Sequence, residues 1–406
     1  MRLSVATNFD DELIWKIKDF PVEEVYGKLP RDFVGGGRSS YMLSPLSTKR
    51  IVRHISHAHK YGIKFNYLLN SACLNNLEFT RFGQRKLNRL LTWLTEIGVD
   101  SVTVSLPFLL EIVKKRFPGL HVRVGVFAQI DSVPKAKHWE ELGADCICLD
   151  SLLVNRDFYT LKIIRQAVKC DLQLLVNNNC LAPCPFSPYH MTMLSHSSQS
   201  NHRTRGFVID YCFLKCSLMK LKDPVNYLRS DWIRPEDLRY YEELGYDNFK
   251  LVERNAPTPI MVERVRAYAE RKYKGNLLDL IQPFAYKDGI SSNGHHNRVT
   301  LWALRFFLRP GLVNPFRLRK ILELTRKRLA NKTSSDVPPV YIDNERLNGF
   351  LTFFLNESCR NKDCRVCQYC HEQANKAVKI DPQYQKMCLD GYQEIMEDIY
   401  SGKMWQ

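Results

Sequence analysis

The sequence predicts an α/β protein, a (β/α)8 barrel of the TIM type followed by a small cysteine-rich C-terminal element. Three observations predict it. Up to about residue 280, short apolar runs alternate with amphipathic stretches, the pattern of repeated βα units. Eight such units in about 250 residues suit a closed barrel better than an open sheet. Glycines at Gly62, Gly98, Gly143 and Gly245 stand just ahead of predicted strands, where the preceding helices need a C-terminal cap.

The predicted strands, in order, are Val22–Tyr26, Ile63–Leu69, Val99–Ser105, Val122–Phe127, Cys146–Asp150, Leu172–Asn177, Leu228–Ile233 and Phe249–Glu253. Between the second and third, Leu87, Leu90, Leu91, Leu94 and Ile97 recur at the spacing of one helical face. About 50 residues separate the sixth predicted strand from the seventh, far more than the other links need, and long loops inside compact domains tend to be functional. In a barrel such a loop lies on the C-terminal face, where active sites are built. Beyond Ile281 the sequence turns polar (YKDGISSNGHHN), then basic (FRLRKILELTRKRLA), then passes through a linker, NKTSSDVPP. The organisation that follows is a barrel over 1–282 with a cysteine-containing loop at 178–228, a basic connecting segment over 283–335, and a Cys-rich C-terminal domain over 336–406. At roughly 70 residues that last domain has little room for a core of its own, so a metal staple is physically reasonable.

Composition narrows the function classes. With 45% hydrophobic and 25% charged residues over 406 positions the chain is neither disordered nor a coiled coil. No stretch reaches the roughly 20 apolar residues of a membrane span. The opening MRLSVATNFDDELIWKIKDF carries acids where a signal peptide has a basic region and an apolar run, which gives the expectation of a cytoplasmic protein. Thirteen cysteines in a reducing compartment point to metals wherever they cluster. The net charge of +16 is concentrated, because Arg305 to Lys332 holds nine basic residues against the single acid Glu323. An amphipathic helix there could track phosphates or lie on an acidic membrane, or simply present a solvated face.

Eight cysteines fall into two sets. Cys180, Cys184, Cys212 and Cys216 form two C-x3-C pairs in the long loop, and four thiolates from one loop suit a zinc ion or a 4Fe–4S cluster. Cys359, Cys364, Cys367 and Cys370 form a tight run, CRNKDCRVCQYC, of the kind that binds a 4Fe–4S cluster, with zinc as the alternative. Cys73, Cys146, Cys148, Cys170 and Cys388 are isolated and read as structural, with Cys146 and Cys148 on one side of a strand. His190, His196, His202, His295 and His296 are loop histidines that could ligate a metal or transfer protons. The chain lacks a phosphate loop, an H-E-x-x-H helix and a nucleophile elbow, and Gly35 to Arg38 (GGGR) lacks the setting of a dinucleotide fingerprint.

Over roughly residues 20 to 280 the sequence resembles the collagenase-like peptidase family U thirty-two. The residues that carry the resemblance are VEEVYGKLPRDFVGGGR, GIKFNYLLNS with Asn70 at its end, GVDSVTVSLPFLLEIVKKRFPGLHVRVGVF, ELGADCICL, and RSDWIRPEDLRYYEELGYDNFKLVERNAPTPIMVERVRAY. In the last of these Lys250 and Arg254 keep their places in a K-I-E-G-R-like strand end, while Val252 and Glu253 replace the family's glutamate and glycine. Asp150 and Ser151 stand where the family has an arginine-glutamate pair. The resemblance is to a divergent branch, similar to the iron–sulfur, oxygen-independent hydroxylation proteins.

That resemblance implies a 4Fe–4S cluster on Cys180, Cys184, Cys212 and Cys216, and a hydroxylase-like tailoring enzyme acting without oxygen, with prephenate as oxygen donor. An anionic co-substrate needs cationic clamps, for which Arg38, Lys250 and Arg254 are the candidates, with Asn70 beside them. It also implies pairing with a homologous chain. The family name implies a peptidase instead, although no protease site is recognisable, so catalytic residues stay unassigned. A third reading is an RNA-binding module acting through 305–332.

Overall fold

The computed structural model describes residues 1–281, 304–309, 311–329, 338–360 and 362–406. His295 and His296, most of the linker NKTSSDVPP, and the side chains of Arg326, Lys327 and Arg328 lie outside the described residues.

Eight parallel strands close into one barrel, in the order of the sequence: β1 (Arg2–Ala6), β2 (Val22–Gly27), β3 (Lys64–Leu69), β4 (Ser101–Val104), β5 (His121–Val124), β6 (Cys146–Cys148), β7 (Asp171–Leu175) and β8 (Asn248–Leu251). β8 closes on β1 through the pairs Asn248–Arg2 and Lys250–Ser4. The predicted fold class is therefore correct, but its strand list needs two corrections. RLSVA at the N-terminus is β1; its alternation of polar and apolar residues over five positions is too short to stand out. Leu228–Ile233 is not a strand. It is the end of a helix (Val225–Leu228) and a turn held by Trp232 Nε1 donating to the Tyr227 carbonyl, with one antiparallel bridge from Ser230 to Leu181. The cysteine loop consequently leaves β7, not a sixth strand.

Period-2 alternation divides the barrel wall chemically. Val25, Val102, Val122, Val124, Ile147, Leu172, Leu174 and Phe249 are buried against the helices, where they join Leu87, Leu91 and Leu94 of the helix Arg81–Glu96. The other side faces the barrel axis and is polar: Ser4, Glu24, Asn66, Ser101, Thr103, Arg123, Gln173, Asn248 and Lys250 are all buried.

After the barrel, a two-stranded antiparallel sheet pairs β9 (Val340–Ile342) with β10 (Val378–Ile380). The helix Pro382–Tyr400, capped by Asp381 accepting from the Tyr384 amide, packs against helices Tyr211–Lys222 and Pro315–Leu329. Leu277 donates its amide to the Ile342 carbonyl at 2.8 Å and Arg234 reaches the Asn344 carbonyl at 2.7 Å. The apolar residues of this element, such as Ile342, Phe350 and Ile395, are continuous with the barrel's core, which answers the problem of a domain too short for its own. Among the described residues no helix is long and apolar enough to cross a membrane.

Candidate active site at the barrel mouth

The barrel floor is an ion pair. The Glu24 carboxylate meets Arg123 Nε at 3.0 Å and accepts from Ser4 Oγ at 2.5 Å and from Asn66 Nδ2 at 3.3 Å. Arg123 also approaches Cys146 Sγ at 3.1 Å. Higher in the barrel, Lys250 of β8 holds its ammonium 4.3 Å from the centre of the Tyr26 ring. Burial draws the Lys250 pKa down, against the pull of Cys148 and Glu24. Lys250 thus stands inside the barrel below the rim, rather than at the strand end.

At the C-terminal rim the loop after β2 returns over the opening. Asp32 accepts from the Gly35 amide at 2.6 Å and from Tyr67 Oη at 2.8 Å, and pairs with the buried Lys28 at 2.9 Å. Gly35 has φ +80°, a conformation that costs other residues about 1–2 kcal/mol. A Cβ on Gly36 would stand 2.6 Å from Asn70 Oδ1, so only glycine lets the loop sit on that amide. The Asn70 Oδ1 is buried and accepts no hydrogen bond.

Arg38 follows and bonds Glu253 Oε2 at 3.0 Å. Glu253 has φ +101°, at the position where the family resemblance implies a glycine. A left-handed backbone is needed there whatever the side chain, and this chain accepts the strain and gains a carboxylate. Arg254 is next. It is 6% exposed, its Nη1 has no hydrogen-bond partner, and it forms no ion pair among the described residues. Burial, then the charge of Arg38, draws its pKa down to about 10, so it still carries its charge at pH 7.

The cysteine loop roofs this opening. Its helix Ser187–Ser198 is stitched to the glycine loop by the Gly36 amide donating to Ser198 Oγ at 2.8 Å. Gln199 Nε2 donates to the carbonyls of Val34 (3.1 Å) and Cys73 (2.6 Å). On the far side, Asp231 accepts from Ser151 Oγ at 2.6 Å, Asn178 Nδ2 at 2.9 Å and the Cys180 amide at 2.9 Å. The loop thiols gather beneath: Cys180 lies within electrostatic reach of Cys216 and of Arg38, and Cys212 within reach of Cys216 and Cys184. Lys220 is buried among Cys180, Cys184 and Cys216. Burial pushes the Cys180, Cys184 and Cys212 thiols up, Cys212 to about 12. Of the loop histidines, His190 pairs with Asp210 at 3.2 Å, and His196 stacks on His202 with ring centres 4.5 Å apart.

The C-terminal cysteines converge separately. Cys359, Cys364, Cys367 and Cys370 line one cavity with Phe353 and Tyr369. Among the described residues no group of three or more His, Cys, Asp or Glu side chains is arranged to hold a single metal ion. Zinc in a four-thiolate site draws its sulfurs to roughly 2.3 Å from one point, whereas a cubane distributes them over four iron corners and needs a wider ring.

The structure therefore assembles Arg38, Asn70 and Arg254 around the mouth, with Lys250 beneath. Sequence reasoning missed Lys28 and Asp32, and named Glu253 and Asp150 only as departures from the family pattern. Asp150, at the end of β6, caps a short helix by accepting from the Leu152 amide, and burial raises its pKa to about 6. Its folded value lies above its unfolded value, so its contribution to stability is present below about pH 4 and is lost as pH rises through 6. Asp150→Asn, which keeps the cap acceptor, should raise stability by about 2–3 kcal/mol above pH 7 and leave it unchanged at pH 4. Denaturant titrations at the two pH values check this, and an equal effect at both would place the shift elsewhere.

A closed parallel barrel whose cationic mouth lies under a cysteine-bearing loop defines the class: a (β/α)8 protein with its candidate site on the C-terminal face. The model of Peptidase family U32 matches residues 36–269. A relative described as an uncharacterised protease of Methanocaldococcus jannaschii is 30% identical over 357 residues, covering 88% of this chain and 89% of that one. The chain belongs to peptidase family U32. A solved structure of a U32 peptidase is 21% identical and covers 61% of this chain and 90% of that chain, with a TM-score of 0.46. The matched span includes the loop cysteines and Arg38, Asn70, Lys250 and Arg254, and ends before the C-terminal cysteines.

Proposed function

We propose that this U32 protein is a redox tailoring enzyme, of the oxygen-independent hydroxylase kind, that binds a small dicarboxylate at the barrel mouth beside a 4Fe–4S cluster. The observation that carries the reading is Arg254, a buried guanidinium with an unpartnered nitrogen facing Arg38. Around it four cations (Lys28, Arg38, Lys250, Arg254) meet two carboxylates (Asp32, Glu253). A site that keeps charge uncompensated out of water is built for an anion. The unpartnered guanidinium suits an anion such as prephenate, whose hydroxyl could donate to Asn70 Oδ1. Cys180, Cys184, Cys212 and Cys216 would hold the cluster, since four thiolates from one loop suit a cubane. Bound there, a cluster supplies redox or Lewis-acid chemistry next to Arg38. Asp150, with its pKa near neutrality, can hold or release a proton at its carboxylate.

Iron and acid-labile sulfide in anaerobically purified protein test this. Cys180→Ala with Cys184→Ala should remove about four irons per chain. Unchanged iron, or zinc in its place, overturns the cluster, and gelatin hydrolysis by metal-free protein would favour the peptidase reading that the family name carries.

The substrate surface suits RNA. Arg31 lies within electrostatic reach of Arg205, Arg305 and Arg309 at one edge of the roof, and Arg309 is braced on the Thr204 carbonyl at 3.0 Å. The helix Pro315–Leu329 is less suited, since Arg317 pairs with Asp398 and Lys320 with Glu394 and Asp398. With four phosphate contacts, single-stranded RNA should bind about 50-fold more weakly at 200 mM salt than at 50 mM. A salt-independent affinity by filter binding would remove this reading.

A further inference from the structure

We propose that Cys359, Cys364, Cys367 and Cys370 hold a second 4Fe–4S cluster that passes electrons one at a time to the barrel-mouth site. The electron transfer rests on the proposed function; the second metal centre does not.

The four cysteines line one cavity, although Cys359 and Cys364 are exposed and nothing in core packing calls for them to meet there. The backbone is bent to bring them together. Gln368 takes φ +55° directly after the short helix Cys364–Cys367, turning the chain two residues ahead of Cys370. The second observation is cationic. Arg156 lies 4.5 Å from the Trp232 ring centre and 5.3 Å from that of Phe354, and its buried Nε and Nη2 have no hydrogen-bond partner. It stands within electrostatic reach of Cys370 and Cys359. Guanidinium nitrogens kept from water beside neutral thiols are uncompensated, whereas beside four thiolates and their cluster they are neutralised. Arg229, whose Nε is likewise buried and unpartnered, reaches the Cys364 carbonyl at 3.4 Å. The tight C-x2-C-x2-C run is of the kind that binds a cubane.

Position assigns the role. The segment Arg229–Asp231 touches both cysteine sets: the Asp231 amide donates to the Cys180 carbonyl at 3.1 Å, the Ala182 amide to the Arg229 carbonyl at 3.0 Å, and the Arg229 side chain to Cys364. Three residues of backbone, Arg229 to Asp231, and the Arg229 side chain therefore link them. The C-terminal centre lies on the solvent side, next to the exposed Val366. A reduced one-electron carrier protein is oxidised by one electron there and the C-terminal cluster is reduced by one. That electron then moves to the loop cluster, which restores the first. No bond is made or broken, and no proton is needed.

The test is metal analysis and electron paramagnetic resonance of the full chain. Wild-type protein, with no substitution to disturb folding, should carry about eight irons, eight sulfides and no zinc. Cys364→Ser with Cys367→Ser should fall to about four irons, and the dithionite-reduced wild type should show a spectrum broadened by coupling between two clusters that sharpens in this variant. Four irons with one zinc, or no iron lost on the C-terminal substitution, overturns the second cluster. Eight irons with two uncoupled spectra overturns the transfer. If the loop variant loses four irons and the C-terminal variant none, the proposed function stands and this inference falls; the converse leaves the second centre and removes the first.

Discussion

Arg254→Met should weaken prephenate binding by about 100-fold or more while making the protein more resistant to denaturant. The two effects have one cause. The guanidinium is buried and lacks a partner for Nη1, so in the ligand-free protein its desolvation is not offset. An anion supplies the missing partner, and a desolvated charge-assisted contact is worth about 2–5 kcal/mol. Methionine fills much of the same volume without the charge, so the empty site gains about 1–2 kcal/mol. Arg38→Met separates this from a general loss of shape. Arg38 already pairs with Glu253, and its removal leaves that carboxylate buried beside the site, so binding and stability should fall together. Isothermal titration and guanidinium unfolding on both variants give four signs to compare. A destabilised Arg254→Met would show that the residue braces the rim instead of receiving a ligand.

How much of this could be read from the chain differs by level. The barrel was legible because the helix-facing side of each strand is apolar and glycine caps mark the returns. Its strand count came out right through two errors that cancel, one at each end of what periodicity can see. β1 is five residues of alternating character, and Leu228–Ile233 has strand-like composition but spends Ser230, Asp231 and Trp232 on holding the cysteine loop. Arg38, Asn70 and Arg254 were reachable from family resemblance, since each follows a predicted strand. Lys28 and Asp32 were not, because nothing in a lone acid or base near a loop reports its burial. Glu253 lies between these cases: the resemblance marks a glycine position, and only the φ of +101° shows why glycine is usual and what the carboxylate gains by standing there.

The polar barrel interior was the least visible feature and should give the largest stability effect. Arg123→Met should cost about 3–5 kcal/mol, because it strands Glu24 in the floor with only Ser4, Asn66 and Ser101 as partners. Glu24→Leu combined with Arg123→Met should recover most of the loss, since replacing both members of a buried pair by apolar groups is often neutral or stabilising. If the double variant is stable yet no longer binds prephenate, the ion pair is retained for the site it underlies. The link would run through Lys250, which feels the charges of both Glu24 and Arg123 and holds its ammonium against Tyr26, the ring that also lies within reach of Arg38 and Arg254. Loss of stability without recovery in the double variant would mean instead that the packing of these eight strands depends on the hydrogen bonds to Glu24 and not on its charge.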